Sequence, residues 1–323
     1  MRPPGARTVG RALTALLVLA VGACASTSAR QVASTTGTGQ TRATTTAVLP
    51  GTGRPPVVVG DKNTPEQFVL GELYEQALAA EGFSVSLNRN IGPIQVTIRA
   101  LQQGTLSMYP EYIDVWNHQV AGDHRTFTSS HAAYEAGQQF AGRHGLRLLN
   151  PTPFGNTEAL AVTDYYAITH GLSTVRDLRT LPLLTAGGPP QFKAGGLVAL
   201  ERAYGLSPPA FKILPLGSQY QALSQRIVQA AAVNTTDGDL ASGDYRVLSD
   251  PRHVLGWGNV VPVVPKTVLQ KEGPTFTATV NAVSALLTLS AMRQLNEQVE
   301  LHVDPATAAA QFLETHGLVP PSG

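Results

Sequence analysis

Two short segments carry side chains able to hold charge on a small molecule: Asp61-Lys62-Asn63 and Tyr109-Pro110-Glu111-Tyr112. A lysine ammonium meets an anionic group as a point charge, and an asparagine offers both a donor and an acceptor. Tyrosine faces attract cations, each by about 0.5–2 kcal/mol. The elements around these segments read as β-α-β-α-β. Val57-Val58-Val59 is a buried strand, followed by a helix with Thr64 as N-cap, Pro65 at the first helical position and Gln67 completing a capping box. Gly82 ends that helix, and residues 84–87 form the next strand. A second helix shows Ile94, Ile98 and Leu101 on one face and stops at Gly104, and a third strand spans 105–109. Such units build parallel sheets that bind ligands at the carboxyl ends of their strands, so both segments are expected to be loops facing one site.

Short strands are expected over 159–162, 183–185, 212–214, 227–233 and 246–249, with helical stretches between most of them, including 197–204 and 220–225. Three helices are expected over 275–315, the last capped by Asp304 with Pro305 at its first position. Signatures of common enzyme chemistries are missing: there is no GxSxG, HExxH or GxGxxG, and no GxxxxGK followed by Ser or Thr. The eight histidines show no metal-ligand spacing, so neither a metal nor another cofactor is expected, and the chain does not read as an enzyme.

The amino terminus sets the compartment. Arg2, Arg7 and Arg11 precede an apolar stretch over 13–21, the pattern of a secretory signal, too short for a spanning helix of about 20 apolar residues. It ends in Val21-Gly22-Ala23-Cys24, which resembles the bacterial lipobox, in which the cysteine is acylated after cleavage. Cys24 is the only cysteine, so no internal disulfide can form. Residues 1–23 therefore read as a lipoprotein signal peptide and 24–54 as a flexible tether, with Ser, Thr or Gly at 16 of the 30 positions from 25 to 54. Six of the 23 basic residues lie within 1–54, where there is no acid. The remainder carries 17 basic against 22 acidic side chains, a formal −5, which argues against a nucleic-acid partner.

The run Val58-Val59-Gly60-Asp61-Lys62-Asn63-Thr64-Pro65-Glu66-Gln67, followed by Leu70-Gly71-Glu72-Leu73-Tyr74, resembles the first strand and helix of osmoprotectant-type ABC transporter substrate-binding proteins, receptors for glycine betaine, choline and carnitine. Ala100-Leu101-Gln102-Gln103-Gly104 with Met108-Tyr109-Pro110-Glu111-Tyr112 is similar to their next signature. Tyr220-Gln221-Ala222-Leu223, Thr236-Asp237-Gly238, Val261-Pro262-Val263-Val264 and Met292-Arg293-Gln294-Leu295-Asn296 follow in order, so the likeness spans 56–319.

The resemblance implies an α/β, two-lobed periplasmic-binding-protein fold of type II, with the ligand cleft between lobes joined by two hinge strands. It places a discontinuous first lobe at 55–156 and 258–323 and a second lobe at 157–257. It also implies an extracytoplasmic, lipid-anchored monomer serving an ABC permease and its ATPase. Alternatives are a non-betaine hydroxylated or aromatic ligand, or a surface adhesion or signalling module. The family holds its cation in a tyrosine cage, which points to Lys62, Asn63, Tyr109 and Tyr112 on one lobe. Where the family carries further aromatic residues, this chain has Glu158, Asn234 beside Thr235, and Gly258 beside Trp257. The readings open to Glu158 are a surface residue, a partner of Lys62, or a cleft carboxylate that attracts a cation or accepts hydrogen bonds from hydroxyls.

Overall fold

Residues 48–321 are described by the structure, a computed structural model. The expected signal peptide, Cys24 and the expected tether up to residue 47 lie outside the described residues. The chain does not reach its first strand as a free tether, however: the Gly51 N–H donates to the Glu81 carbonyl at 2.8 Å, and Arg54 Nη1 donates to the Lys271 carbonyl at 2.9 Å. Residues 48–54 thus lie against the end of the first helix, because Gly82 at φ 85° has no Cβ to keep Leu49 away.

β1 (Val57–Gly60) pairs in parallel with β2 (Val85–Asn88), and Val59 makes a parallel bridge to Met108. Between them, α1 (Pro65–Ala80) starts as expected: Thr64 accepts from the Gln67 N–H. The reciprocal half of the capping box is absent, since Gln67 Oε1 accepts from the Lys62 N–H at 3.4 Å instead. α2 (Ile94–Gln103) ends at Gly104 in the left-handed conformation.

One expectation fails here. Residues 109–112 are a strand, β3 (Tyr109–Tyr112), antiparallel to β10 (Val260–Pro265), which also pairs with β4 (Leu146–Leu148). Prolines in both partners conceal it from a propensity reading. The Ile113 N–H bonds the Asn259 carbonyl, and from there the alternation puts Pro110 opposite Pro262 as a non-hydrogen-bonded pair, so neither proline owes the other an N–H; the Pro262 carbonyl faces the other way and accepts from the Leu149 N–H at 2.8 Å.

The second sheet runs β7-β6-β8-β5-β9, built from β5 (Glu158–Thr163), β6 (Thr185–Gly188), β7 (Ala210–Ile213), β8 (Ala230–Asn234) and β9 (Tyr245–Val247). β6, β7 and β8 are parallel, with β5 antiparallel between β8 and β9. Two α/β lobes result, each around its own apolar core. In one, α1 residues Leu70, Leu73 and Tyr74 pack with Val260, Phe276 and Leu313. In the other, Leu160, Val162, Phe192 and Leu200 meet under β5 and β8.

The chain passes between the sheets twice, and the two passages pair: Gly155 bridges Asn259, and the Asn156 N–H donates to the Gly258 carbonyl at 3.0 Å. A Cβ on Gly155 would stand 2.1 Å from the Trp257 carbonyl oxygen, so only glycine permits this approach. The carboxyl-terminal part is three helices, Lys266–Leu286 (kinked at Gly273-Pro274), Leu289–Glu300 and Pro305–Thr315.

Candidate functional site

On the first lobe, β1 delivers the chain into Asp61-Lys62-Asn63 at its carboxyl end. Asp61 is buried; its Oδ1 accepts from the Asn90 N–H at 2.8 Å and its carbonyl from the Ile91 N–H at 2.9 Å, locking together the loops that follow β1 and β2. Burial raises the Asp61 carboxyl above the usual range, opposed by the Asn90 N–H and Arg89.

Lys62 forms an ion pair with Glu111, whose side chain is fully buried. Its Nζ stands 5.5 Å from the centre of the Tyr109 ring, and the Tyr109 hydroxyl donates to Glu111 at 3.3 Å. Burial pushes the Glu111 carboxyl up, with the Lys62 ammonium the chief opposing influence. Lys62 therefore pairs with Glu111 and not with Glu158. Tyr109 is completely buried, and the cation over its ring is the protein's own. Tyr112 is half-buried and donates from its hydroxyl to Glu66 at 2.7 Å. Asn63 is exposed and its side chain makes no hydrogen bond among the described residues.

From the sequence, Glu66 figures only within the run that resembles the family's first strand and helix. Buried, it accepts from three groups: Tyr112 Oη, Asn156 Nδ2 at 3.0 Å and Asn296 Nδ2 at 2.9 Å. Asn296 Nδ2 also reaches the Thr236 carbonyl at 2.8 Å. One carboxylate thus ties α1, β3, a passage between the lobes and the helix Leu289–Glu300. Its partners lie 46, 90 and 230 positions away, so no local pattern announces it.

On the second lobe, Glu158 and Asn234 are register partners across β5 and β8. Both are exposed, at the edge where parallel β6 and β8 present their carboxyl ends. Glu158 has no ion pair or hydrogen bond among the described residues, and desolvation alone raises its carboxyl pKa. A Cβ on Gly196 would stand 3.2 Å from Glu158 Oε2, so that glycine leaves the carboxylate its room. The Asn234 backbone N–H is taken by Asp237 Oδ2 at 3.0 Å.

Thr235 and Trp257 have structural commitments. The Thr235 hydroxyl accepts from the Thr157 N–H at 3.0 Å and donates to the Gly155 carbonyl at 2.8 Å, clamping the first passage. Trp257 Nε1 donates to the Phe127 carbonyl at 3.1 Å, and its ring stacks on His253 with centroids 3.6 Å apart. Asp114 accepts the Trp257 and Gly258 N–H groups at 2.7 and 3.1 Å, another anchor that sequence reasoning missed. Gly258 lies at φ 59°, and a Cβ there would be 2.0 Å from the Asn156 carbonyl oxygen. The tyrosine expected at this position would not fit.

Two hollows meet at Glu158. A recess of about 230 Å³ continues toward Asn234, Pro189 and Gln219. A cavity of about 330 Å³ runs the other way, past Thr157 and Leu248 to His253 and Trp257. Six of the eight residues named from the sequence therefore fall into three groups, Lys62 over Tyr109, Glu158 beside Asn234, and Thr235 with Trp257 at the passages, while Tyr112 is held by Glu66 and Asn63 is exposed. Among the described residues no His/Cys/Asp/Glu group is arranged to hold a metal ion.

Two α/β lobes, two paired passages and hollows at strand ends define a two-lobed solute-binding protein. The chain belongs to the family described as the substrate-binding domain of ABC-type glycine betaine transport systems, whose sequence model matches residues 55–315. It is similar to a glycine-betaine-binding protein of Pseudomonas aeruginosa, 31% identical over 281 residues, covering 81% of this chain and 88% of the relative. It is also similar to the glycine betaine-binding protein YehZ of Escherichia coli, 28% identical over 280 residues, with 81% and 91% covered. The apo structure of YehZ aligns with a TM-score of 0.73 at 27% identity, covering 82% of this chain and 99% of that one.

Proposed function

We propose that this chain is the lipid-anchored, extracytoplasmic receptor of an ABC importer, capturing a small quaternary ammonium solute between its lobes for delivery to a permease and its ATPase. The observation that carries the choice of solute is Glu158, a carboxylate with no partner among the described residues, at the carboxyl ends of the second-lobe strands. A cation beside it would lower the desolvation penalty on its ionised form. Lys62, the residue available to a ligand carboxylate, is already neutralised by Glu111. This balance favours a choline-like cation over glycine betaine, whose carboxylate Glu158 would repel at close range. Lobes at 55–156 with 258–323 and at 157–257 accord with the membership of the two sheet systems.

Calorimetric titration with choline, glycine betaine and carnitine tests the reading. Choline is expected to bind tightest, to be recovered unchanged, and to weaken at least tenfold in Glu158→Gln, about 1.4 kcal/mol. Betaine binding tighter than choline and indifferent to that substitution would overturn it. Anchoring through Cys24 rests on the Val21-Gly22-Ala23-Cys24 sequence. Fatty-acid labelling of cells should mark the wild type and not Cys24→Ala; label retained by the variant refutes the anchor.

A further inference from the structure

The cavity of about 330 Å³ beside Glu158 exceeds what a trimethylammonium head requires and falls at the lower end of clefts that bury drug-sized ligands, roughly 300–1,000 Å³. Its floor is apolar: Leu160 and Leu248 are both about 1% exposed, as is Val175. The stacked His253 and Trp257 rings close its far end. Its other carboxylate is committed internally, Asp250 Oδ1 to the Tyr204 hydroxyl and the Arg252 N–H, and Oδ2 to the Leu255 N–H at 3.1 Å. Free negative charge therefore sits at one end, at Glu158; beyond it the apolar Leu160, Val175 and Leu248 floor and the His253-Trp257 pair are bordered by the hydroxyls of Thr157, Thr235 and Ser249 and by Asn259.

We infer that this cavity is a tail subsite, and that the receptor accepts elongated quaternary ammonium compounds whose apolar or aromatic tail lies between the Leu160-Leu248 floor and the His253-Trp257 pair. The inference rests on the reading of Glu158 as the cation's partner and extends it from the head of the ligand to its tail. A polar tail would leave its own groups unpaired over this floor, whereas an alkyl chain or flat ring removes apolar surface from water. Each methylene fully buried is worth roughly a fourfold gain in affinity, so a six-carbon tail that is only partly buried still gains more than tenfold.

Calorimetry on the full chain with tetramethylammonium, choline, hexyltrimethylammonium, benzyltrimethylammonium and neutral 1-hexanol reads both ends. The expected order places the hexyl and benzyl compounds at least tenfold tighter than tetramethylammonium, with 1-hexanol much weaker. Ser249→Trp, an exposed position lining the cavity, should abolish the gain from the tail and leave tetramethylammonium unchanged. Glu158→Gln should weaken every cation by a similar factor. If tetramethylammonium and choline bind but the tail adds nothing, the subsite is wrong and the cation reading stands. If no cation binds while 1-hexanol does, the cation reading falls and the subsite falls with it. The tail series on the wild type needs no variant, so a misfolded Ser249→Trp leaves the inference exposed to refutation.

Discussion

Replacing Glu66 tests whether the lobes are joined as described. In Glu66→Leu, the Tyr112 hydroxyl and Asn156 Nδ2 lose their one acceptor among the described residues, while Asn296 Nδ2 keeps the Thr236 carbonyl. Hydrogen bonds to a charged group contribute about 1.5–3 kcal/mol each, so two uncompensated losses amount to roughly 3–6 kcal/mol. Relief of the buried carboxylate's desolvation offsets part of this. The net expectation is a loss of about 3–5 kcal/mol, the usual result of removing one member of a buried charged network. At about 2–4 °C per kcal/mol for a domain approaching this size, the melting temperature should fall by roughly 6–20 °C. Glu66→Gln keeps an acceptor for Tyr112 and Asn156 but turns a donor toward Asn296, and should lose about 1–2 kcal/mol. Urea denaturation of both variants and the wild type, with m-values compared, gives these differences. If Glu66→Leu lies within about 1 kcal/mol of wild type, Glu66 is not the junction described.

Lys62→Met strands the buried Glu111 carboxylate and should destabilise the fold by about 3–5 kcal/mol at neutral pH. Because Glu111 titrates above its ordinary value even with Lys62 present, loss of the ammonium moves it higher still. The deficit should therefore shrink as the pH falls toward 4.5, where the carboxyl is protonated, and denaturation at pH 5 and pH 7 reads the difference. Glu300 is raised by desolvation first and then by Asp239, Asp237 and Glu297, against the Gly238 N–H it accepts at 3.1 Å. A raised acid destabilises the fold once it ionises, so Glu300→Gln should stabilise at pH 7 and match wild type near pH 4; a variant less stable at both would contradict the assignment. Gly258→Ala should unfold at lower temperature than wild type, since its methyl group collides with the Asn156 carbonyl and its φ of 59° disfavours any side chain; an unchanged melting temperature would refute the close approach.

Local signals made the helix ends of this architecture readable. Thr64-Pro65, Gly104 and Asp304-Pro305 mark helix ends through chemistry confined to a few neighbouring residues, and those ends lie where the sequence puts them. Strand positions were less legible. β3 and β10 carry prolines, and Pro110 and Pro262 are tolerated opposite each other because they meet as a non-hydrogen-bonded pair. β6 is Thr-Ala-Gly-Gly, a sequence with little strand preference, held between β7 and β8 by partners remote in the chain. The site follows the same division. Glu158 stood out because the resemblance implies an aromatic residue at its position. The engagement of Lys62 with Glu111, spanning 49 positions, and the threefold acceptance by Glu66 depend on tertiary contacts and leave no local trace.

A crystal structure of this chain with choline bound tests the central claim most directly. The account predicts the ammonium within about 4–6 Å of the Glu158 carboxylate, the range over which an opposite charge acts strongly, with the Lys62–Glu111 pair intact. A choline caged instead against Tyr109, with Lys62 displaced and Glu158 facing solvent, would contradict it.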